Sequence, residues 1–113
     1  MKTLNFNKAK KQYLAVTLAD EKNTTILVGT PTKSILDDFL ALKTHVESLG
    51  DEEVDQETLD DLFEVVAKCM SRNKTGYHVT SEFISNIFDV EDILIFMTAY
   101  AEFLDEVTKA KNC

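Results

Sequence analysis

Hydrophobic positions recur at helical spacing over most of the chain after residue 31. The first such segment carries apolar residues separated by four, three, four and three positions: Ile35, Phe39, Leu42, Val46 and Leu49. This spacing puts them on one face of an α-helix, and Leu36 and Leu40 widen that face. Thr32 or Ser34 can cap the start, and Gly50 ends the helix near Leu49.

Two further helices follow an acidic linker. Asp55 is an N-cap for a helix with an apolar face made of Leu59, Leu62, Phe63, Val66, Cys69 and Met70. This helix ends at a basic loop containing Arg72 and Lys74, with Gly76 beyond it. Thr80 caps a short helix whose inward residues are Phe83, Ile84, Ile87 and Phe88.

The last helix, from Val90 to about Val107, is apolar round most of its circumference. Asp89 and Asp92 open it in the manner of a capping box. One face is predicted to hold Ile93, Leu94, Met97, Tyr100, Ala101 and Leu104. Phe96, Ala99 and Phe103 extend that face sideways. A helix of this kind is central in a bundle or covered by another chain.

Two short β-branched runs precede the helices. The run 12–18 partly alternates apolar and polar residues, and the run 24–28 is stopped by Gly29 and Pro31. Between them, residues 20–23 are turn formers. The sequence therefore predicts a β-hairpin followed by about four helices, a mainly α fold in one domain. Residues 1–31 form its N-terminal arm and hairpin, and residues 32–110 its helical body. Phe63, Val66, Ile84, Met97 and Leu104 are expected in the core.

Charge is distributed unevenly along this chain of net charge −8. Residues 1–33 carry six lysines and two acids, a balance of +4, whereas residues 34–113 carry six basic and eighteen acidic residues, a balance of −12. An acidic body repels nucleic acid and anionic membrane surfaces. We expect no nucleic-acid or membrane partner, and we expect self-association, since the two ends carry opposite charge and a hairpin leaves unpaired edges.

Neither a targeting signal nor a functional cysteine motif is recognisable in the sequence. The first residues lack the apolar core of a signal peptide, and no apolar run reaches the roughly 20 residues that span a bilayer. Cys69 is expected to be a reduced core thiol and Cys113 a loose terminal one, because neither has partners at metal-ligand spacing.

The sequence shows no recognisable catalytic constellation. His45 and His78 belong to no metal or general-base motif, and the adjacent pairs Asp37–Asp38 and Asp60–Asp61 point in different directions on a helix. The three glycines lie far apart and form no phosphate loop. We therefore expect a non-enzymatic protein without a cofactor or metal. The basic loop with Arg72 and Lys74 is a helix C-cap or a docking point for an acidic partner.

The stretch from Leu59 to Leu104 resembles the small tail assembly chaperones of long-tailed phages and prophages of Gram-positive bacteria. The acidic helix LDDLFEVVAKCMSRN, the Lys-Thr-Gly loop, the lead-in YHVTSEFISNIF and the DVED cap before ILIFMTAYAEFL carry the likeness. The resemblance extends over about residues 32–107. It implies a protein of the bacterial host cytoplasm that binds the hydrophobic tape measure protein, keeps it soluble and recruits tail tube subunits. It also implies absence from the mature virion.

The sequence leaves two other interpretations open. One is a structural virion component, such as a tail completion or connector protein. The other is an acidic DNA mimic that inhibits a host protein. For the chaperone, Phe96 and Phe103 on the flank of the last helix, together with Met97, are the candidate partner-binding residues, with Arg72 and Lys74 as a second candidate surface.

Overall fold

The computed structural model describes residues 11–111, with side chains described for residues 11–109. In chain order, its elements are β1 (Leu14–Thr17), β2 (Thr25–Val28), α1 (Lys33–Leu49), α2 (Gln56–Met70), α3 (Ser81–Ile87) and α4 (Val90–Lys111). The fold is mainly helical with an N-terminal antiparallel hairpin, as the sequence pattern predicts.

The predicted caps determine where three helices begin. In each case a side-chain oxygen accepts a hydrogen bond from the backbone N–H three residues later: Thr32 from Ile35 at 3.4 Å, Asp55 from Thr58 at 2.8 Å and Thr80 from Phe83 at 3.1 Å. Each bond satisfies one of the N–H groups that a helix start leaves without an intrahelical partner. At the other end of α1, Gly50 has a φ of 58°, a conformation that favours glycine.

The start of α4 is closed by a reciprocal pair. The Asp89 N–H donates to the Asp92 carboxylate at 3.0 Å, and the Asp92 N–H donates to Asp89 at 2.8 Å. This is the geometry of a capping box with aspartate in the fourth position, and it confirms the prediction for DVED. The break between α3 and α4 is therefore specified locally by four residues.

The hairpin is held by a short turn. Leu14 pairs with Val28 and Thr17 with Thr25, and Asn23 adopts the left-handed conformation with a φ of 50°. Asp20 accepts hydrogen bonds from the Thr24 hydroxyl at 2.7 Å and from the Thr24 N–H at 2.9 Å. These bonds hold the pKa of Asp20 below its ordinary value.

The outer side of β2 is joined to the loop that follows α2. Gly29 N–H donates to Arg72 O at 2.6 Å, Lys74 N–H donates to Leu27 O at 2.9 Å, and Val28 forms an antiparallel bridge with Asn73. A Cβ at Gly29 would lie 3.1 Å from Arg72 O, so the close approach favours glycine at this position. The loop thereby acts as a short third strand and fixes the hairpin to the helical body.

Helix α2 is the central element of the fold, since it packs against α1, α3, α4 and β2. Its inward residues Leu62, Val66, Cys69 and Met70 are fully buried. Cys69 is a free thiol in this core, as predicted, and burial raises its pKa to about 12. Cys113 lies outside the described residues.

The predicted core is confirmed at Val66, Ile84 and Met97, whereas Phe63 and Leu104 are only partly buried. Phe63 lies at the edge of the buried face of α2. For Leu104 the difference arises on α4, whose buried face is formed by Ile93, Phe96, Met97, Tyr100, Phe103 and Val107. Phe103, not Leu104, therefore makes the larger core contact. The predicted face is confirmed at Ile93, Met97 and Tyr100, but its remaining buried residues include Phe96 and Phe103 rather than Leu94 and Leu104.

Asn73 organises the loop after α2 from a nearly buried position. Its amide nitrogen donates to Met70 O at 2.9 Å and to Tyr77 O at 2.7 Å. Its side-chain oxygen accepts from Tyr77 N–H at 2.9 Å and from the Thr75 hydroxyl at 3.0 Å. All four bonds join Asn73 to residues on either side of the segment 72–74 that pairs with β2.

We predict that Asn73→Ala lowers the free energy of unfolding by about 2–3 kcal/mol, because it leaves buried polar groups without partners. Chemical denaturation monitored by circular dichroism measures this change. The control Asn86→Ala removes an exposed side chain of α3 and should cost less than about 0.5 kcal/mol. Equal effects for the two variants would contradict the role of Asn73.

Candidate functional site

The residues predicted to form an exposed channel on α4 are buried instead. Phe96 is 5%, Phe103 7% and Met97 4% exposed. The expectation that Phe96 and Phe103 lie off the main core face is wrong. Both rings pack on Tyr100, with centroid distances of 5.3 Å from Phe96 and 6.0 Å from Phe103.

This aromatic cluster joins three parts of the fold. The Phe39 ring of α1 meets Tyr100 edge to face, with centroids 5.4 Å apart. The Tyr100 hydroxyl donates a hydrogen bond to Gly29 O at 2.9 Å. Burial raises the Tyr100 pKa, so this hydroxyl stays protonated as a donor. Phe96 and Phe103 therefore support the core and are not accessible to a partner.

The predicted basic loop has the exposure that a docking residue needs. Arg72 and Lys74 are both exposed. The Arg72 Nε donates to Thr30 O at 3.4 Å, and Lys74 Nζ lies 5.8 Å from the centre of the Tyr13 ring. Both cations therefore contact the hairpin or the segment that leaves it, and the loop has a structural role irrespective of any partner.

A groove with a volume of about 670 Å³ lies between α1 and α4. The segment Thr30–Pro31 lines it together with Leu36, Phe39, Leu40 and Lys43 from α1 and with Ala101, Glu102, Leu104, Asp105, Val107 and Thr108 from α4. Both helices pack against α2, and their flanks form the two walls. The groove therefore lies between the first and the last helix of the helical body.

The apolar surface in this groove is contributed mainly by leucines. Leu40 is 46% exposed, and Leu36 and Leu104 are partly buried. Phe39 forms a fully buried base beneath them because its ring turns inward to Tyr100. An exposed leucine by itself is ordinary, but three leucines around one groove provide a continuous surface for an apolar partner.

Charged groups border the groove on both helices. On α1, Lys43 forms an ion pair with Glu47. On α4, Glu102 and Asp105 line the wall, and Asp105 pairs with Lys109 at 3.2 Å. These exposed pairs contribute little to stability, but they leave a polar border around an apolar floor. An amphipathic helix has the matching arrangement of surfaces.

A second concavity of about 780 Å³ lies between the hairpin turn and α3. Asp20, Lys22 and Thr24 line one side, and Phe83 and Ile87 line the other. Asp20 and Thr24 already bond to each other within the turn. The α1–α4 groove offers the larger apolar floor of the two.

Within residues 11–111, no three His, Cys, Asp or Glu side chains converge as metal ligands would. His45 is exposed, and its Nε2 lies 3.4 Å from the Thr58 hydroxyl. No helix in this part of the chain combines the length and apolar character needed to cross a bilayer.

The chain shows no match to any protein-family model, to any curated protein or to any solved structure. The likeness to phage tail assembly chaperones accordingly rests on the residues from Leu59 to Leu104. One wall of the groove comes from α1, which precedes the motifs that carry the likeness.

Leu36 and Leu40 are the site residues that sequence reasoning missed. Their signal was present, since they widen the apolar face of α1 beyond the seam from Ile35 to Leu49. The sequence alone does not tell whether these two leucines lie in the core or at the surface, because that depends on where α4 packs. The core seam, in contrast, needs only the 3.6-residue period.

We predict that Phe96→Ser combined with Phe103→Ser unfolds the protein. Truncating one buried phenylalanine costs about 3–5 kcal/mol, and domains of this size have about 5–15 kcal/mol of stability. Thermal unfolding followed by circular dichroism checks the result. The matched variant Leu40→Ser removes an exposed side chain and should retain a cooperative transition. A double variant that kept the wild-type midpoint would show that the two rings are not core residues.

Proposed function

We propose that this protein is a phage tail assembly chaperone whose α1–α4 groove binds a helical segment of the tape measure protein. In this function it keeps the tape measure protein soluble in the bacterial host cytoplasm and helps tail tube subunits assemble round it. It acts without catalysis or a cofactor and is absent from the finished virion. The observation that carries the proposal is the leucine-lined groove, which adds a binding surface to the resemblance described above.

The chemistry of the groove suits a long apolar helix. A partner helix that presents residues at i, i+3, i+4 and i+7 can place them against Leu36, Leu40 and Leu104. The walls Glu102 and Asp105 favour a helix with basic or neutral residues beside its apolar stripe. A groove of this kind recognises the pattern of an amphipathic helix rather than one sequence, so it can serve repeated segments of a long protein.

The charge of the body supports the same function. A protein that covers apolar surface in another chain must remain soluble when the complex forms. Residues 34–113 carry a net charge of −12, and their acids are spread over the exposed sides of the helices. Bound copies would give an apolar helix a negative outer surface, which opposes aggregation of the complex.

We predict that co-expression raises the soluble yield of the tape measure protein encoded in the same phage genome. We further predict that Leu36→Ser with Leu40→Ser removes the effect. Loss of about 1 kcal/mol for each partly exposed leucine corresponds to about thirtyfold weaker binding. The soluble fraction of the tape measure protein after centrifugation, normalised to its total expression, is the measurement.

The matched control is Val90→Ser with Ile95→Ser. Both residues are exposed aliphatics on α4, at 38% and 61%, and neither lines the groove. This variant should solubilise the tape measure protein as well as the wild type does. Equal loss in both variants would show a general hydrophobic effect, and full activity of the groove variant would place binding elsewhere. No rescue by the wild type, or presence of the protein in purified particles, would contradict the chaperone function itself.

A further inference from the structure

The two outer edges of the hairpin differ in their backbone hydrogen bonding. The outer edge of β2 is covered, because the loop 72–74 bonds to Leu27 and Gly29. In the described residues, β1 pairs with β2 alone. Within residues 11–111, β1 therefore presents a row of backbone donors and acceptors on its other side that no described strand pairs with.

The hydrogen bonds between the two strands indicate which backbone groups of β1 point away from β2. Leu18 N–H donates to Thr24 O at 2.7 Å, so Leu18 directs its backbone groups towards the β2 side. Because these directions alternate along an antiparallel strand, Val16 shares this orientation, and Ala15 and Thr17 direct theirs outward. The 2.9 Å contact between the Thr17 and Thr25 hydroxyls is consistent with a pair that lacks backbone hydrogen bonds, where side chains come closest.

This edge lacks the features that normally protect one. The segment from Tyr13 to Ala19, YLAVTLA, contains no charged residue and no proline. Its pairing with β2 runs from Leu14 to Thr17 in unbroken register, without a bulge. The Ala15 and Thr17 side chains are exposed, and Leu14 and Val16 are only partly buried. Proteins usually block such edges with lysine, proline or a bulge, so an unprotected edge is suited to pairing.

The charges beside β1 select its partner. Lys11 lies five residues before Val16, and Glu21 lies five residues after it, and both are exposed. If two β1 strands pair antiparallel about Val16, Ala15 meets Thr17 of the other copy, and their outward backbone groups face each other. The same register brings Lys11 of each copy beside the hairpin turn of the other copy, where Glu21 is exposed. Parallel pairing would bring like charges together, which is unfavourable.

We infer that the partner of the β1 edge is a second copy of this chain, and that two hairpins join through antiparallel β1 strands into one four-stranded sheet. The strand order is β2, β1, β1 of the second copy and β2 of the second copy. A twofold axis passes by Val16, as a closed symmetric dimer requires. The inference is independent of the chaperone function, since the groove and the β1 edge are separate surfaces.

Two short strands bury a small area, so we expect a dimer with a dissociation constant of about 10–100 µM at low salt. Sedimentation velocity over a concentration series measures it. Amide hydrogen exchange by NMR identifies the surface. The amides of Ala15 and Thr17 should gain protection as concentration rises, whereas those of Val16 and Leu18, which face β2, should be protected at every concentration.

Charge exchange tests the register. Lys11→Glu places two acids together, and Glu21→Lys places two lysines together, so each single variant should dimerise about tenfold more weakly. A mixture of the two variants should form a heterodimer of wild-type affinity, because both contacts are again between opposite charges. The controls Lys68→Glu and Glu53→Lys make the same changes of charge on exposed residues away from β1. They should leave the affinity within about twofold and show no recovery on mixing.

A backbone variant tests the edge itself. Ala15→Pro removes an outward N–H that β2 does not use, and edge strands tolerate proline. It should abolish dimerisation and keep the helical circular dichroism signal, whereas Ala15→Thr keeps the N–H and should still dimerise. If Ala15→Pro unfolds the hairpin, the charge-exchange series decides. A wild-type monomer at about 1 mM would overturn the inference. So would a dimer that gives Ala15 and Thr17 no added protection, or paired variants that fail to recover affinity.

Discussion

The rest of this structure depends on the junction at Gly29. There the end of β2 meets the loop after α2 through the 2.6 Å bond from Gly29 N–H to Arg72 O, and Tyr100 of α4 donates its hydroxyl to Gly29 O. A single residue thus connects the hairpin, the loop and the last helix. An isolated hairpin is marginal in water, so these contacts and the buried residues Ile26 and Val28 stabilise it.

The same junction explains why the groove and the hairpin edge are available. Tyr100 is held at Gly29 and packs with Phe39, Phe96 and Phe103 into the core. Because these rings face inward, Leu36 and Leu40 of α1 and Leu104 of α4 remain at the flanks of the two helices. The loop 72–74 covers the outer edge of β2. In the described residues, β1 pairs with β2 alone, so its outer edge stays unpaired there. One set of contacts therefore decides which apolar and polar groups stay at the surface.

The proposed chaperone would combine two different kinds of contact on two separate surfaces. The groove would take apolar side chains, for which affinity depends on area and on the exclusion of water. The β1 edge would take another backbone, for which affinity depends on hydrogen bonds and on the charges beside them. Because the surfaces are separate, copies joined in pairs through β1 could each still hold a partner helix. Two linked binding sites on one long tape measure protein would strengthen the interaction without any new contact.

The sequence by itself determined the local structure. The caps at Asp55, Thr80 and Asp89, the stop at Gly50 and the two β-branched runs depend on groups within a few residues of each other, and the structure has each of them as predicted. For α1, where Thr32 and Ser34 were both candidates, the cap is Thr32. Sequence spacing predicted Ile93, Met97 and Tyr100 on the buried face of α4, and only the tertiary structure decided which flank of that face is buried with them. Sequence spacing favoured Leu104 over Phe103, but Tyr100 bonds to Gly29, 71 residues away, and that contact turns the aromatic side of α4 inward. Leu36 and Leu40 became part of a groove for the same reason, since a leucine on a wide apolar face is core or surface according to the helix that packs beside it.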